Sequence, residues 1–172
     1  MKFIYSIIGM SLLLMGCQPP QDNSANVAFE KNSKTVLANL AGFQNENQDY
    51  SQYAKDFVMV NTGFGAKDSL NLEELIEQEK QLWRVYDFKI INDPIILLPG
   101  VNTDTKLLDG SVRHYTEWEI TLSATDSTEA KSGVFQLYET YDFDTEGKIV
   151  FQSAYADFGG LFGYLHSPDS EE

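Results

Sequence analysis

The sequence predicts an α+β domain, with helices in the first half of the chain and an antiparallel sheet after them. Apolar residues recur every three or four positions in residues 29–43 and 70–86, which is the period of a helix face. From Val112 onward the period changes to two, over three long segments separated by short polar connections. That pattern describes a meander of strands with one buried face. At 172 residues the chain is long enough for one such domain with a real core.

The first segment is a leader. An apolar run from Phe3 to Met15 follows Met1-Lys2. It is too short to cross a hydrocarbon core of about 30 Å as a helix, and it has the length of a secretory h-region. The run ends in Leu14-Met15-Gly16-Cys17, which resembles a bacterial lipobox: Leu three positions before the cysteine and a small residue just before it. Met15 is larger than the pattern usually holds. The resemblance implies cleavage after Gly16 and a diacylglycerol on the Cys17 thiol. Gln18 follows, not the aspartate that resembles an inner-membrane retention signal, so the implied address is the cell envelope, at the outer membrane where the cell has one. Residues 18–26, polar and broken by Pro19-Pro20, read as a tether reaching at most about 30 Å. The expected division is a signal peptide over 1–16, a tether over 17–26, the domain over 27–165 and an acidic tail over 166–172.

Composition sets further bounds. The formal charge of −14 disfavours nucleic acid and anionic headgroups as direct partners. Cys17 is the only cysteine, so neither an intrachain disulfide nor a thiolate metal cluster is expected. With His114 and His166 the only histidines, no multi-histidine metal site is expected either, and no cofactor.

Within the domain, Phe29, Val36, Leu37, Leu40 and Phe43 share a helical stripe that the polar run Gln44–Gln48 ends. Asp49 suits the cap of a short second helix carrying Tyr50, Tyr53 and Phe57. Phe57 to Val60 reads as a strand. Asn71 and Glu74 form a capping-box pattern for a third helix, whose buried stripe is Leu72, Leu75, Ile76, Leu82, Trp83 and Tyr86. Residues 88–92 and 95–98 read as strands, with Pro94 between them marking an edge or bulge. Then come the three alternating strands. Val112, His114, Thr116, Trp118, Ile120 and Leu122 share one face of the first. Phe135, Leu137, Glu139, Tyr141 and Phe143 share one face of the second. Ile149, Phe151, Ser153, Tyr155 and Asp157 share one face of the third.

Helix, short helix, strand, helix and antiparallel sheet is the order of the nuclear-transport-factor-2-like superfamily. The local pattern Tyr141-Asp142-Phe143, the turn Glu146-Gly147-Lys148-Ile149, then Tyr155-Ala156-Asp157 and an apolar Gly-rich tail resembles the end of SnoaL-like members. The resemblance spans about residues 27–165. It implies a cone, with a curved sheet wrapped around about three N-terminal helices and an apolar pocket between them. It also implies that Asp157 matches the acid/base carboxylate of SnoaL-like cyclases. Glu139 matches the strand position of the protonated aspartic acid in ketosteroid isomerases. Asn61 stands where that family has its general base, and an amide cannot take the proton.

Pairing the strands by their turns places His114, Thr116, Glu139, Tyr141, Ser153, Tyr155 and Asp157 on the helix-facing side, with Glu139 across from Ser153. Asp157 and Glu139 are the candidate catalytic carboxylates, because acids in an apolar pocket suit proton transfer. Trp83, His114, Trp118, Tyr141, Ser153 and Tyr155 are the candidate pocket lining. Structural roles compete with these: Asp157 tying down the Phe158–Gly160 tail, Glu139 at a rim, His114 bonded to Tyr141, and both tryptophans in the core. The function expected first is a lipid-anchored envelope protein that binds a small, largely apolar molecule without strong catalysis. Two alternatives stand beside it. One is a SnoaL-like cyclase, isomerase or dehydratase using the pocket carboxylates. The other is an interaction module, or a homodimer, using the outer sheet face of Tyr115, Val134, Tyr138, Val150 and Ala154.

Overall fold

A computed structural model describes residues 22–126 and 128–168, so the leader, Cys17 and most of the tether lie outside the described residues. Helix α1 spans Ser24–Gln44. It begins three residues inside the stretch read as tether, where Asp22 accepts the Ser24 N–H at 2.9 Å. Ser and Asn suit both tethers and first helical turns, so composition alone does not fix this boundary.

A single 3-10 turn, Tyr50–Gln52, leads into β1, Tyr53–Val60. The short second helix is therefore corrected to strand. Tyr53 and Phe57 are both buried, four residues being compatible with one strand face as well as one helix face. β1 also bulges: Tyr53 pairs with Ile149 and Val58 with Phe151, so it carries three more residues than β7 over the same span.

A two-residue strand β2, Ser69–Leu70, precedes α2, Leu72–Trp83. The expected capping box is present: Asn71 Oδ1 accepts the Glu74 N–H at 3.0 Å, and Glu74 Oε2 accepts the Asn71 N–H at 3.1 Å. Strands β3 (Tyr86–Ile90) and β4 (Ile96–Val101) both pair with β5 (Leu108–Leu122), along different halves of its length. Pro99 is tolerated in β4 because that strand pairs on one side only. Then follow β6 (Lys131–Phe143), β7 (Ile149–Tyr155) and α3 (Phe158–Leu165).

The seven strands form an open sheet in the order β2-β1-β7-β6-β5-β3, with β4 also on β5. Every pairing is antiparallel except β1 with β7, which is parallel. The turn between β6 and β7 is held by Asp144, whose Oδ1 accepts the N–H groups of Glu146 and Lys148, both at 2.9 Å. Gly147 supplies the positive φ of 84° that the turn needs.

The helices and the curved face of the sheet enclose the core, with Val36, Leu40, Phe57, Leu75, Trp118, Ile120, Leu137 and Tyr141 all buried. This is the α+β cone. Its third α-helix, however, is C-terminal and not N-terminal. The Gly-rich segment after β7, expected as a tail, winds into α3 because Asp157 caps it and its apolar residues find a surface to cover. Gly133 on β6 allows the approach: a Cβ there would sit 2.6 Å from Leu161 Cδ1. Phe158 packs on Phe135 with ring centroids 5.5 Å apart, and Phe162 on Tyr86 at 5.2 Å.

Candidate functional site: a pocket with apolar walls and an acidic floor

A cavity of about 310 Å³ lies between the helices and the sheet, at the lower end of the range for small-molecule pockets. Leu40, Phe43, Leu75, Leu82, Phe88, Trp118, Ile120, Phe135, Leu137, Phe158 and Phe162 supply its apolar walls. Its polar lining includes Asn39 from α1, Glu79 from α2, Glu139 and Tyr141 from β6, and Gln152 from β7. Among the described residues, none that lines it is basic.

The floor is a hydrogen-bonded network. Tyr141 donates its hydroxyl toward Glu139 Oε2 at 3.3 Å and Asn39 Oδ1 at 3.4 Å. Asn39 Nδ2 donates to the Tyr53 hydroxyl at 2.8 Å. Gln152 Nε2 reaches Glu139 Oε1 and the Tyr141 hydroxyl, both at 3.0 Å. Behind the floor, fully buried His114 places Nε2 at 2.9 Å from Glu139 Oε2, an ion-pair distance without hydrogen-bond alignment. Its ring stacks on Tyr141 at 5.7 Å. Glu139 is thus contacted from three sides.

Glu79 has far less. It is 6% exposed. Its Oε2 accepts from the Tyr50 hydroxyl at 2.7 Å, and among the described residues no donor reaches Oε1. Burial pushes its carboxyl up to about 7; the Tyr50 bond pulls the other way, and the charge of Glu139 adds to the rise. The phenols follow the same logic: burial raises Tyr141 well above its usual value, and the Glu139 carboxylate raises it further.

The structure brings together four of the eight pocket residues read from the sequence, namely Glu139, Tyr141 and Trp118 at the cavity and His114 directly behind it. Trp83 does not line the cavity; it packs on Phe43 with centroids 5.7 Å apart. Ser153, Tyr155 and Asp157 are corrected. Asp142 pairs with Phe151 but Phe143 with Ile149, so Val150 is an extra residue in β7. One extra residue turns every later side chain to the opposite face. Gln152 and Ala154 therefore line the pocket. Ser153 Oγ instead donates to the Val60 carbonyl at 3.2 Å, and Tyr155 is half exposed on the outer face. Glu139 consequently lies across from Ala154 and His114, not Ser153. Asp157 is exposed at the start of α3, where Oδ1 accepts the Gly160 N–H at 2.8 Å. Asp157 therefore caps α3 and does not face the cavity. Asn61, by contrast, does line the cavity.

Glu79 was legible in principle. It sits on the apolar stripe, at the three- and four-residue spacing of Leu72, Leu75 and Leu82. Asn39 likewise falls between Val36 and Phe43 on the buried side of α1. Gln152 had no such signal, because the bulge reverses its alternation.

Neither protein-family models nor curated proteins match the sequence. Solved structures do match the fold. A candidate polyketide cyclase from Silicibacter sp. TM1040 aligns over 81% of this chain and 98% of its own, with a TM-score of 0.62 and 16% identity. A candidate SnoaL-like polyketide cyclase from Shewanella denitrificans OS-217 covers 78% and 96%, at 0.56 and 11%. An LEH-like epoxide hydrolase from M. tuberculosis covers 79% and 90%, at 0.55 and 16%. The chain therefore has the nuclear-transport-factor-2-like fold, the class its element order implied. At such identities the likeness extends to the fold and not to the chemistry.

Proposed function

We propose that this chain is a lipid-anchored envelope protein that binds a small, largely apolar molecule in the pocket of its cone. The observation that carries the binding reading is the cavity itself, preformed, apolar on most sides and polar at its floor. The lipobox resemblance around Cys17 carries the anchor; among the described residues no helix is long and apolar enough to cross a membrane. Native mass spectrometry of gently released protein tests the first part, with a retained small molecule as the expected result and a bare chain mass the contrary one. Palmitate labelling tests the second: wild type is expected to take label and Cys17→Ser to take none.

A second reading, proton transfer on a bound substrate, rests on Glu79. A carboxyl held near neutrality in an apolar pocket is suited to giving and taking a proton. Some structural neighbours are described as cyclases and one as an epoxide hydrolase, which keeps the reading open for this fold. Incubating the retained molecule in D₂O distinguishes the two: exchange at carbon with wild type and not with Glu79→Gln supports catalysis.

A third reading uses the outer sheet face for a protein partner or a second copy; Ala154, expected on that face, lines the pocket instead. Ile96, Tyr115, Tyr138 and Tyr155 are paired directly across four strands on the outer face.

A further inference from the structure

The pocket's charge pattern narrows what it holds. We infer that its ligand is a cationic amphiphile, an amine carried on an apolar body, with the nitrogen at Glu79. This deepens the binding reading above and rests on it.

Two carboxylates line the cavity, and among the described residues no basic side chain does. An anionic head, as of a fatty acid, would meet them with no compensating charge in a site where water screens poorly. The carboxylates are not equivalent. Glu139 takes hydrogen bonds from Gln152 and Tyr141 and has the imidazole of His114 at 2.9 Å. Glu79 has one phenol, and its second oxygen lacks a donor although the residue is 94% withdrawn from solvent. A buried carboxylate so poorly compensated is costly to ionise. Three donors at the floor are already committed to protein acceptors. Tyr50 gives its proton to Glu79, Gln152 gives its amide to Glu139 and Tyr141, and Asn39 gives its amide to Tyr53. The second oxygen of Glu79 is left as an open acceptor. A ligand ammonium fills it with a charge-assisted hydrogen bond and keeps Glu79 ionised. The aromatic rings of Phe43, Phe88, Trp118 and Phe158 offer the remainder of the molecule an apolar wall.

Three probes of matched length separate this inference from the pocket reading: phenylbutylamine, phenylbutanol and phenylbutyrate, titrated calorimetrically into the purified full-length protein at about pH 7.5, where the amine is charged. The amine is expected to bind at least about tenfold more tightly than the alcohol, and the carboxylate least. Glu79→Gln is expected to abolish the amine's preference over the alcohol, and a melting curve beside wild type shows whether the variant is folded. Equal binding of amine and alcohol by wild type, or tighter binding of the carboxylate, overturns the cationic ligand while leaving the pocket reading in place. No binding of any probe overturns both. The wild-type ratio decides even if the variant fails to fold.

Discussion

At the scale of single residues, the two pocket glutamates are expected to behave oppositely. Glu139 is integrated, and Glu139→Ala would leave His114 and Gln152 buried without their carboxylate. Removing one partner of such a buried set costs on the order of 3 kcal/mol, which urea unfolding should show as a lower midpoint at unchanged slope. Glu79 is strained by its own charge. Its carboxyl rises from 4.5 in the unfolded chain to about 7 in the fold, so the native state holds the proton more tightly. Stability from this group is therefore undiminished below about pH 4.5, falls as pH rises between the two values, and is lowest above about pH 7. The rise corresponds to about 3 kcal/mol at full ionisation. Unfolding at pH 4.5 and pH 8 should show wild type losing about that much more than Glu79→Gln, all other titrations being shared by both. Equal losses would place Glu79 in a wetter or better paired setting.

At the scale of elements, α3 and the bulge in β7 shape the end of the pocket. Asp157 caps α3 from outside the cavity. Asp157→Ala should cost about 1 kcal/mol and Asp157→Asn almost nothing, since Asn caps as well as Asp. Neither should change binding per folded molecule, and a calorimetric titration beside a melting curve checks both statements. The helix itself was hidden by its glycines: Gly159, Gly160 and Gly163 argue against a helix by propensity, and a capped start plus docking on Gly133 overrides them. Where a strand is regular, alternation read from sequence holds: Val112, His114, Thr116, Trp118 and Ile120 are all buried on β5. Where Val150 bulges, the same reasoning puts Ser153, Tyr155 and Asp157 on the wrong side. Nothing in the sequence around Val150 marks the irregularity.

At the scale of the whole molecule, the outer face joins apolarity with acidity. Tyr138 lies 5.0 Å from Tyr115 and 6.1 Å from Tyr155, ring to ring, while the chain carries a formal charge of −14. Self-association through this row is expected to be moderate and salt-dependent, stronger when repulsion is screened. Sedimentation at tens of micromolar should show dimer in physiological salt, a shift toward monomer at low salt, and monomer throughout for Tyr138→Asp. A wild type that stays monomeric in physiological salt argues against this surface.

Features dictated by local chemistry are legible in the chain. The period of three to four residues set α1 and α2, the Asn71–Glu74 pair set where α2 begins, and the period of two set β5 and β6. These features depend on neighbours a few residues away, and the sequence shows those neighbours directly. The cone was implied by the resemblance of the element order and the C-terminal motifs to the nuclear-transport-factor-2-like superfamily, not by periodicity. Which carboxylates share a cavity depends instead on long-range packing. Glu79 and Glu139 are 60 residues apart and meet because α2 is laid against the concave face of the sheet. Gln152 joins them, and Asp157 is excluded, because one extra residue in β7 reverses which side faces in. Register and helix docking are settled by long-range packing, and a pocket is built from those two things.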